Sequence, residues 1–208
     1  MQGQKLVAAL YFFDCYIEDK KIAYIYGVAT DKQERGKGYC KELIANTHEY
    51  LKENGYYGAI LVPGSENLFS MYEKFGYKTA TYVDKITVSS NGKPLSDIRK
   101  IEKEEFKNLR RTFLPQGAVL QEEENLDYLS QFEDFYTDGT FLLSAHIKDN
   151  TVYAQEFLGD KKLLPFIVSS LSAEKGVFRT KGDSIPFSMY YPFYDNSPKP
   201  VWFGLAFD

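Results

Sequence analysis

Cysteine, histidine and tryptophan are scarce: two, two and one in 208 residues. Cys15 and Cys40 are too few for a disulfide framework. With only His48 and His146 beside them, and no ligand spacing, a zinc site is not expected. Both histidines are expected in packing or surface roles. Long apolar runs are missing too. Charged residues interrupt every stretch before the roughly 20 residues that a spanning helix needs. The first residues carry no basic segment leading into an apolar core, so no secretory leader is expected and a cytoplasmic address is. Positive charge is not in excess: 25 Lys+Arg face 29 Asp+Glu, a net of −4 with a pI near 5.4. That balance disfavours a generic nucleic-acid binder. What the chain has in quantity is apolar and aromatic matter, 44% and 16%. A disordered chain is thereby excluded, and the length suits one large domain or two small ones.

Charge divides the chain unevenly. Residues 1–90 hold 11 basic and 11 acidic side chains, and the remainder holds 14 and 18, so the whole net charge lies in the second half. The change falls at Ser89-Ser90-Asn91-Gly92-Lys93-Pro94, a polar turn sequence. Two domains are expected, 1–90 and 95–208.

In the first half, residues 6–17 and 22–30 read as a strand hairpin. Cys40, Leu43, Ile44, Thr47 and Leu51 then lie on one face of a helix that Gly55 stops. Residues 57–62 make a short apolar strand, buried on both sides. Ser65 can cap a second helix carrying Leu68, Tyr72 and Phe75, closed by Gly76. Residues 77–88 form a last strand. The strands joined through the first helix should be parallel or splayed neighbours. In the second half the pattern predicts a strand at 97–101 and a helix at 102–113. An acidic segment follows at 122–134, a hairpin at 140–158, a helix at 163–174, and strands at 187–191 and 201–207. Hairpin, loop and helix at 6–52 echo those at 140–174, a faint internal repeat.

The loop before the first helix carries most information. It reads Gln33-Glu34-Arg35-Gly36-Lys37-Gly38-Tyr39. Two glycines let the backbone turn sharply, and the free amides and dipole of the helix start then favour an anion. Arg35 and Lys37 add positive charge. Neither a Rossmann fingerprint nor a P-loop fits. The competing reading is a plain strand–helix turn.

Gly27-Val28-Ala29-Thr30 followed by Gln33-x-x-Gly36-x-Gly38 resembles the coenzyme A loop of the GCN5-related N-acetyltransferase (GNAT) family. Ser65 through Met71-Tyr72-Glu73-Lys74-Phe75-Gly76-Tyr77 is similar to that family's last helix and its exit into a strand. The resemblance covers about residues 5 to 88. It implies an α/β fold with a mixed sheet, a GNAT-like core lacking the usual first strand and two helices. A second, degenerate GNAT-like domain would follow. It also implies an acetyl-CoA-dependent N-acyltransferase acting on a small-molecule or peptide amine by direct attack. Val28 and Thr30 would hold the pantetheine arm. The amides of Arg35, Gly36, Lys37, Gly38 and Tyr39 would hold the pyrophosphate, with Gln33 at the first motif position. Tyr72 would protonate the departing thiolate; a core tyrosine is the competing reading.

Three departures accompany the resemblance. Ser65 stands where the family often has asparagine. Residues 22–30 offer Tyr24 and Tyr26 but no carboxylate to serve as base. The chain opens almost at the hairpin. A non-catalytic acyl-CoA-binding or protein-interaction module is therefore the alternative. The apolar tail Trp202 to Asp208 should be packed. If it packs near the cofactor, Asp208 brings carboxylates that could act as the missing base; a plain terminal strand is the competing reading. Glu122–Glu124 reads as a solvated face, with attraction of a cationic amine as the alternative. No metal, nucleic acid or membrane is expected, and a homo-oligomer stays open.

Overall fold

The computed structural model describes residues 5–207. β1 (Ala8–Ile17) and β2 (Lys20–Thr30) pair antiparallel, turning at Glu18 in the left-handed region. α1 (Tyr39–Glu53) follows and buries Ile44, His48 and Leu51, one stripe at helical spacing. Its end bonds back onto Lys52 through the Gly55 amide. β3 (Gly58–Leu61) is buried at every position. α2 (Glu66–Glu73) buries Tyr72, and β4 (Lys78–Ser89) leads to the turn at Ser90–Pro94.

The second half comprises β5 (Arg99–Ile101), α3 (Lys103–Phe113), β6 (Leu120–Gln121), α4 (Glu124–Leu129) and β7 (Asp134–Thr137). It continues with β8 (Leu142–Lys148), β9 (Thr151–Leu158), α5 (Leu164–Ser170), β10 (Lys175–Lys181) and β11 (Ile185–Pro192). Two readings need correction. The helix expected at 163–174 ends at Ser170, because Ser172 turns into the left-handed region and β10 starts three residues later. The strand expected at 201–207 is not one. Its contact with a ladder is a single bridge, Trp202 to Ala118. In the acidic run Glu123 and Glu124 are exposed, as expected of a solvated face, while Glu122 meets Arg111 and Glu123 lies 2.7 Å from Lys107.

All eleven strands form one sheet, in the order β5-β7-β8-β9-β10-β4-β11-β3-β2-β1-β6. The middle of this order has an internal symmetry. β8-β9-β10-β4 on one side mirrors β1-β2-β3-β11 on the other. In each set, a hairpin is followed by a one-turn 3-10 helix, an α-helix and a strand parallel to the hairpin's second strand. The fourth member comes from the opposite half: β4 lies beside β10, and β11 lies between β3 and β4. The turn near residue 90 is thus a break in the chain's course, while the sheet runs straight through it.

Three apolar clusters hold the layers together. α1 and α2 cover β2, β3 and β11 through Ile44, Leu51, Tyr72, Tyr77 and Met189. His48 belongs here as expected: its Nε2 shares a 2.7 Å hydrogen bond with the Tyr77 hydroxyl, and burial pulls its pKa down to about 4. α5 covers β8, β9 and β10. The third cluster joins β1–β3 to α3, α4 and the tail, with Trp202, Phe203 and Leu205 fully buried.

A buried ion pair fixes that tail. Arg110 Nε donates to Glu156 Oε2 at 2.6 Å, with both side chains at most 1% exposed. Trp202 Nε1 donates to the other Glu156 oxygen at 2.8 Å, and Gln121 donates to the Leu205 carbonyl. Such pairs stabilise little by themselves, but their directional bonds fix geometry. Here they lead the chain to Phe207, whose amide donates to the Tyr24 hydroxyl at 3.1 Å.

Candidate active site

β2 and β3 are parallel partners at only two positions, Ala23 with Ala59 and Tyr24 with Ile60. Beyond them the strands part. The corresponding pair in the other half, β9 and β10, stays joined from Thr151/Lys175 to Phe157/Thr180. A cleft therefore opens only between β2 and β3. It holds ≈ 250 Å³ and is lined by Gly27, Val28, Leu61, Leu68, Tyr72 and Phe207.

A β-bulge shapes its wall. The register of β1 and β2 shifts between Ala9/Ala29 and Tyr11/Tyr26, which leaves Gly27 and Val28 out of the ladder. Gly27 takes a φ of +62° there. Val28 thus has no partner on β1 and lines the cleft. Thr30 ends β2, and its carbonyl is engaged by Arg35 Nε at 3.2 Å.

The glycine loop runs from there to α1. Asp31 starts a 3-10 turn at Lys32–Glu34 by accepting from the Gln33 amide at 2.9 Å. The Gln33 amide is consequently spent inside the loop, and its side chain is exposed. Gly36 and Gly38 have φ of +79° and +91°, a region that other residues reach only with strain. Gly38 is the N-cap of α1, and Tyr39 is its first residue. Among the described residues the amides of Gly36, Lys37, Gly38, Tyr39 and Cys40 meet no acceptor. Those amides and the helix dipole suit an anion. The side chains contribute less than expected, because Lys37 pairs with Glu34 at 2.7 Å.

Ser65 is the N-cap of α2 by backbone, but its hydroxyl makes no capping bond. Tyr72 is 6% exposed, packs against Phe75 and Tyr77, and lines the cleft. Burial pushes its hydroxyl up to about 12. The structure brings Val28 and Tyr72 together, with the loop 33–39 and Ser65 at the starts of the two flanking helices. Asp208 lies outside the described residues. Its neighbour Phe207 stands in the cleft wall, against Tyr24 and Tyr26.

A second, larger cavity of ≈ 700 Å³ shares Tyr26 and Phe207 with that wall. Tyr128 and Phe132 continue its apolar side, and Glu133, His146 and Gln155 form a polar end. His146 is part-exposed and stacked on Tyr153, as expected of a packing or surface histidine, and it also lines this cavity, with Nδ1 2.7 Å from Glu133 Oε1. No local pattern announces the arrangement, since Tyr26 and His146 are 120 positions apart and meet only through the sheet.

Among the described residues there is no helix long and apolar enough to cross a membrane, and no group of three or more His, Cys, Asp or Glu placed to hold a metal.

Residues 1–80 match the family model "Acetyltransferase (GNAT) domain". Among solved structures, a GCN5-related N-acetyltransferase from Kribbella flavida is similar at 14% identity and a TM-score of 0.66, over 92% of this chain and 59% of that one. A probable N-acyltransferase from Enterococcus faecalis V583 is similar at 18% identity and 0.64, over 90% and 59%. Eis1 from Mycobacterium abscessus is similar at 11% identity and 0.64, over 88% and 56%. At such identities the likeness is one of fold, and the chain spans less than three fifths of these proteins' length. No curated protein matches the chain. The family likeness is thus confined to the first 80 residues, and the chain has the mixed α/β fold of the structures named here.

Proposed function

We propose that the protein is an acetyl-CoA-dependent N-acyltransferase that moves an acetyl group to an amine by direct attack. The observation that carries this reading is the parallel pair β2/β3, which parts after two residue pairs and opens onto Tyr72. The residues present fit the cofactor. Val28 and Thr30 would lie along its pantetheine arm. The amides of Arg35, Gly36, Lys37, Gly38 and Tyr39 would take its pyrophosphate at the start of α1, with Gln33 and Ser65 flanking. Acetyl-CoA supplies the acyl group as an activated thioester. The Val28 backbone, out of the ladder, orients the carbonyl, and much of the rate comes from positioning.

Tyr72 holds a proton throughout the working pH range and gives it from Oη to the departing sulfur. A thiol of ordinary pKa near 8–9 is a stronger acid than this tyrosine. Burial narrows the gap, because the dry cleft that weakens the phenol as an acid also strengthens the thiolate as a base. Tyr72→Phe removes no hydrogen bond seen among the described residues. It is expected to lower kcat by about 10²–10⁴-fold while calorimetry shows unchanged acetyl-CoA affinity. Full activity in Tyr72→Phe would remove it from the mechanism. Acetyl-CoA binding with no thiol release across a panel of amines would instead establish the non-catalytic module.

Asp208 is the proposed base, on the support that Phe207 already stands between the cleft and the larger cavity. A chain shortened by Phe207 and Asp208 is expected to bind acetyl-CoA and not turn over. Unchanged turnover would end that assignment. On the same reading, residues 95–208 are a degenerate second acetyltransferase-like unit, supported by the repeated element order. The joined β9/β10 pair and the absence of Gly-x-Gly in its loop at 159–163 are what it lost. The acceptor is a small-molecule or peptide amine, in a cytoplasmic setting.

A further inference from the structure

The larger cavity is chemically two-ended. Near the cleft its walls are Tyr26 and Phe207, continued by Tyr128 and Phe132, which suit an aliphatic chain or a cation against ring faces. At the other end is Glu133, whose side chain is only 4% exposed. Its Oε1 is held by His146, while its Oε2 has no hydrogen-bond partner. Gln155 Oε1, on the same cavity, is also buried without a partner. Two residues lining one cavity thus each carry a buried acceptor without a partner, and a ligand that brings donors would relieve that cost.

Burial pushes the Glu133 carboxyl up, and His146 and Arg179 pull it back. A donor arriving at Oε2 adds to that pull and favours the carboxylate. Arg179 makes a 3.0 Å bond to the Gly204 carbonyl, and Lys148 lines the cavity without a bond to Glu133.

We propose that this polar end binds a second, non-reacting ammonium group of the acceptor, so that the acceptor is a diamine. This rests on the acyltransferase reading. One nitrogen would lie beside Tyr26 and Phe207, where the cavity adjoins the cleft. The other would donate to Glu133 Oε2 and Gln155 Oε1, with the aliphatic linker along Tyr128 and Phe132.

The test is calorimetry on the full chain, titrating putrescine, cadaverine and hexamethylenediamine against butylamine, pentylamine and hexylamine. At least one diamine should bind about tenfold or more tighter than its monoamine, the size of one charge-assisted hydrogen bond in a dry site. Glu133→Gln should erase most of that preference and leave acetyl-CoA affinity unchanged. If that variant fails to melt cooperatively, Gln155→Met carries the same expectation. Equal binding of diamines and monoamines by the wild type overturns the proposal, as does a folded variant that keeps the preference. The two readings fail separately. Diamine preference without acetyl transfer defeats the enzyme and keeps the cavity assignment. Transfer to monoamines and diamines alike keeps the enzyme and defeats the diamine.

Discussion

Gly36→Glu is expected to leave the protein folded and to weaken acetyl-CoA binding by about 100-fold or more, roughly the loss of two charge-assisted hydrogen bonds. The position is open: a Cβ built on Gly36 meets nothing within 4 Å. The cost to the fold is therefore confined to the left-handed backbone, about 1–2 kcal/mol. The cost to binding is larger. A carboxylate introduced there can take the amides at the start of α1, which no acceptor among the described residues occupies, and it repels a pyrophosphate. Gly92→Glu is the control. Gly92 also has positive φ and open space around it, but it lies in the turn after β4, so the backbone strain is matched and the cradle untouched. Calorimetry with a thermal melt of each variant decides the matter. Gly36→Glu binding as tightly as wild type would reduce the loop to a strand–helix turn.

Separating residues 1–90 from 95–208 is expected to leave neither half folded. The first half lacks β11, which pairs with β3 from Met189 to Pro192 and with β4 from Ile185 to Tyr190. Met189 is fully buried beneath α1 and α2, and Tyr191 and Phe193 pack against the same cluster. Without that strand, β3 and β4 each face a gap of one ladder, and the helices lose their floor. The second half loses β4, which pairs with β10 over Lys175–Lys181. Open ladders of this kind expose unpaired backbone along buried strands and invite aggregation. Each fragment alone should show no cooperative melt, and co-expression should restore one complex. A cooperative transition in 1–90 alone would show that β11 is dispensable and that the boundary near residue 90 is a true domain edge.

Both expectations bear on what local pattern can convey. The hairpin at β1–β2, the stripe of α1, the doubly buried β3 and the glycine loop were legible because each is written within a dozen residues. Period-2 and period-3.6 patterns and turn glycines act at that range. β10 was not legible. Lys175–Lys181 buries Gly176, Phe178 and Thr180, an alternation that gains meaning only once β9 and β4 flank it. The tail misled for the opposite reason. Trp202 to Phe207 is as apolar as a strand, yet its burial comes from packing among Tyr24, Phe13 and Trp202's bond to Glu156, with almost no ladder. Tyr72 could be placed on its helix stripe, but its entry into a cleft depends on β2 and β3 parting.

Local pattern alone carries the elements of the first half, the anion-suited start of α1 and the family resemblance of residues 5–88. Their causes are local: side-chain spacing, turn conformation and free amides. The folded sheet settled that β4 and β11 change places between the halves. It also decided that β2/β3 opens while β9/β10 stays shut, and that Glu133 and His146 meet Tyr26 across one cavity. Those outcomes join residues about 100 positions apart, where pairing depends on which sheet edges are left unsatisfied, and no short stretch of chain records that.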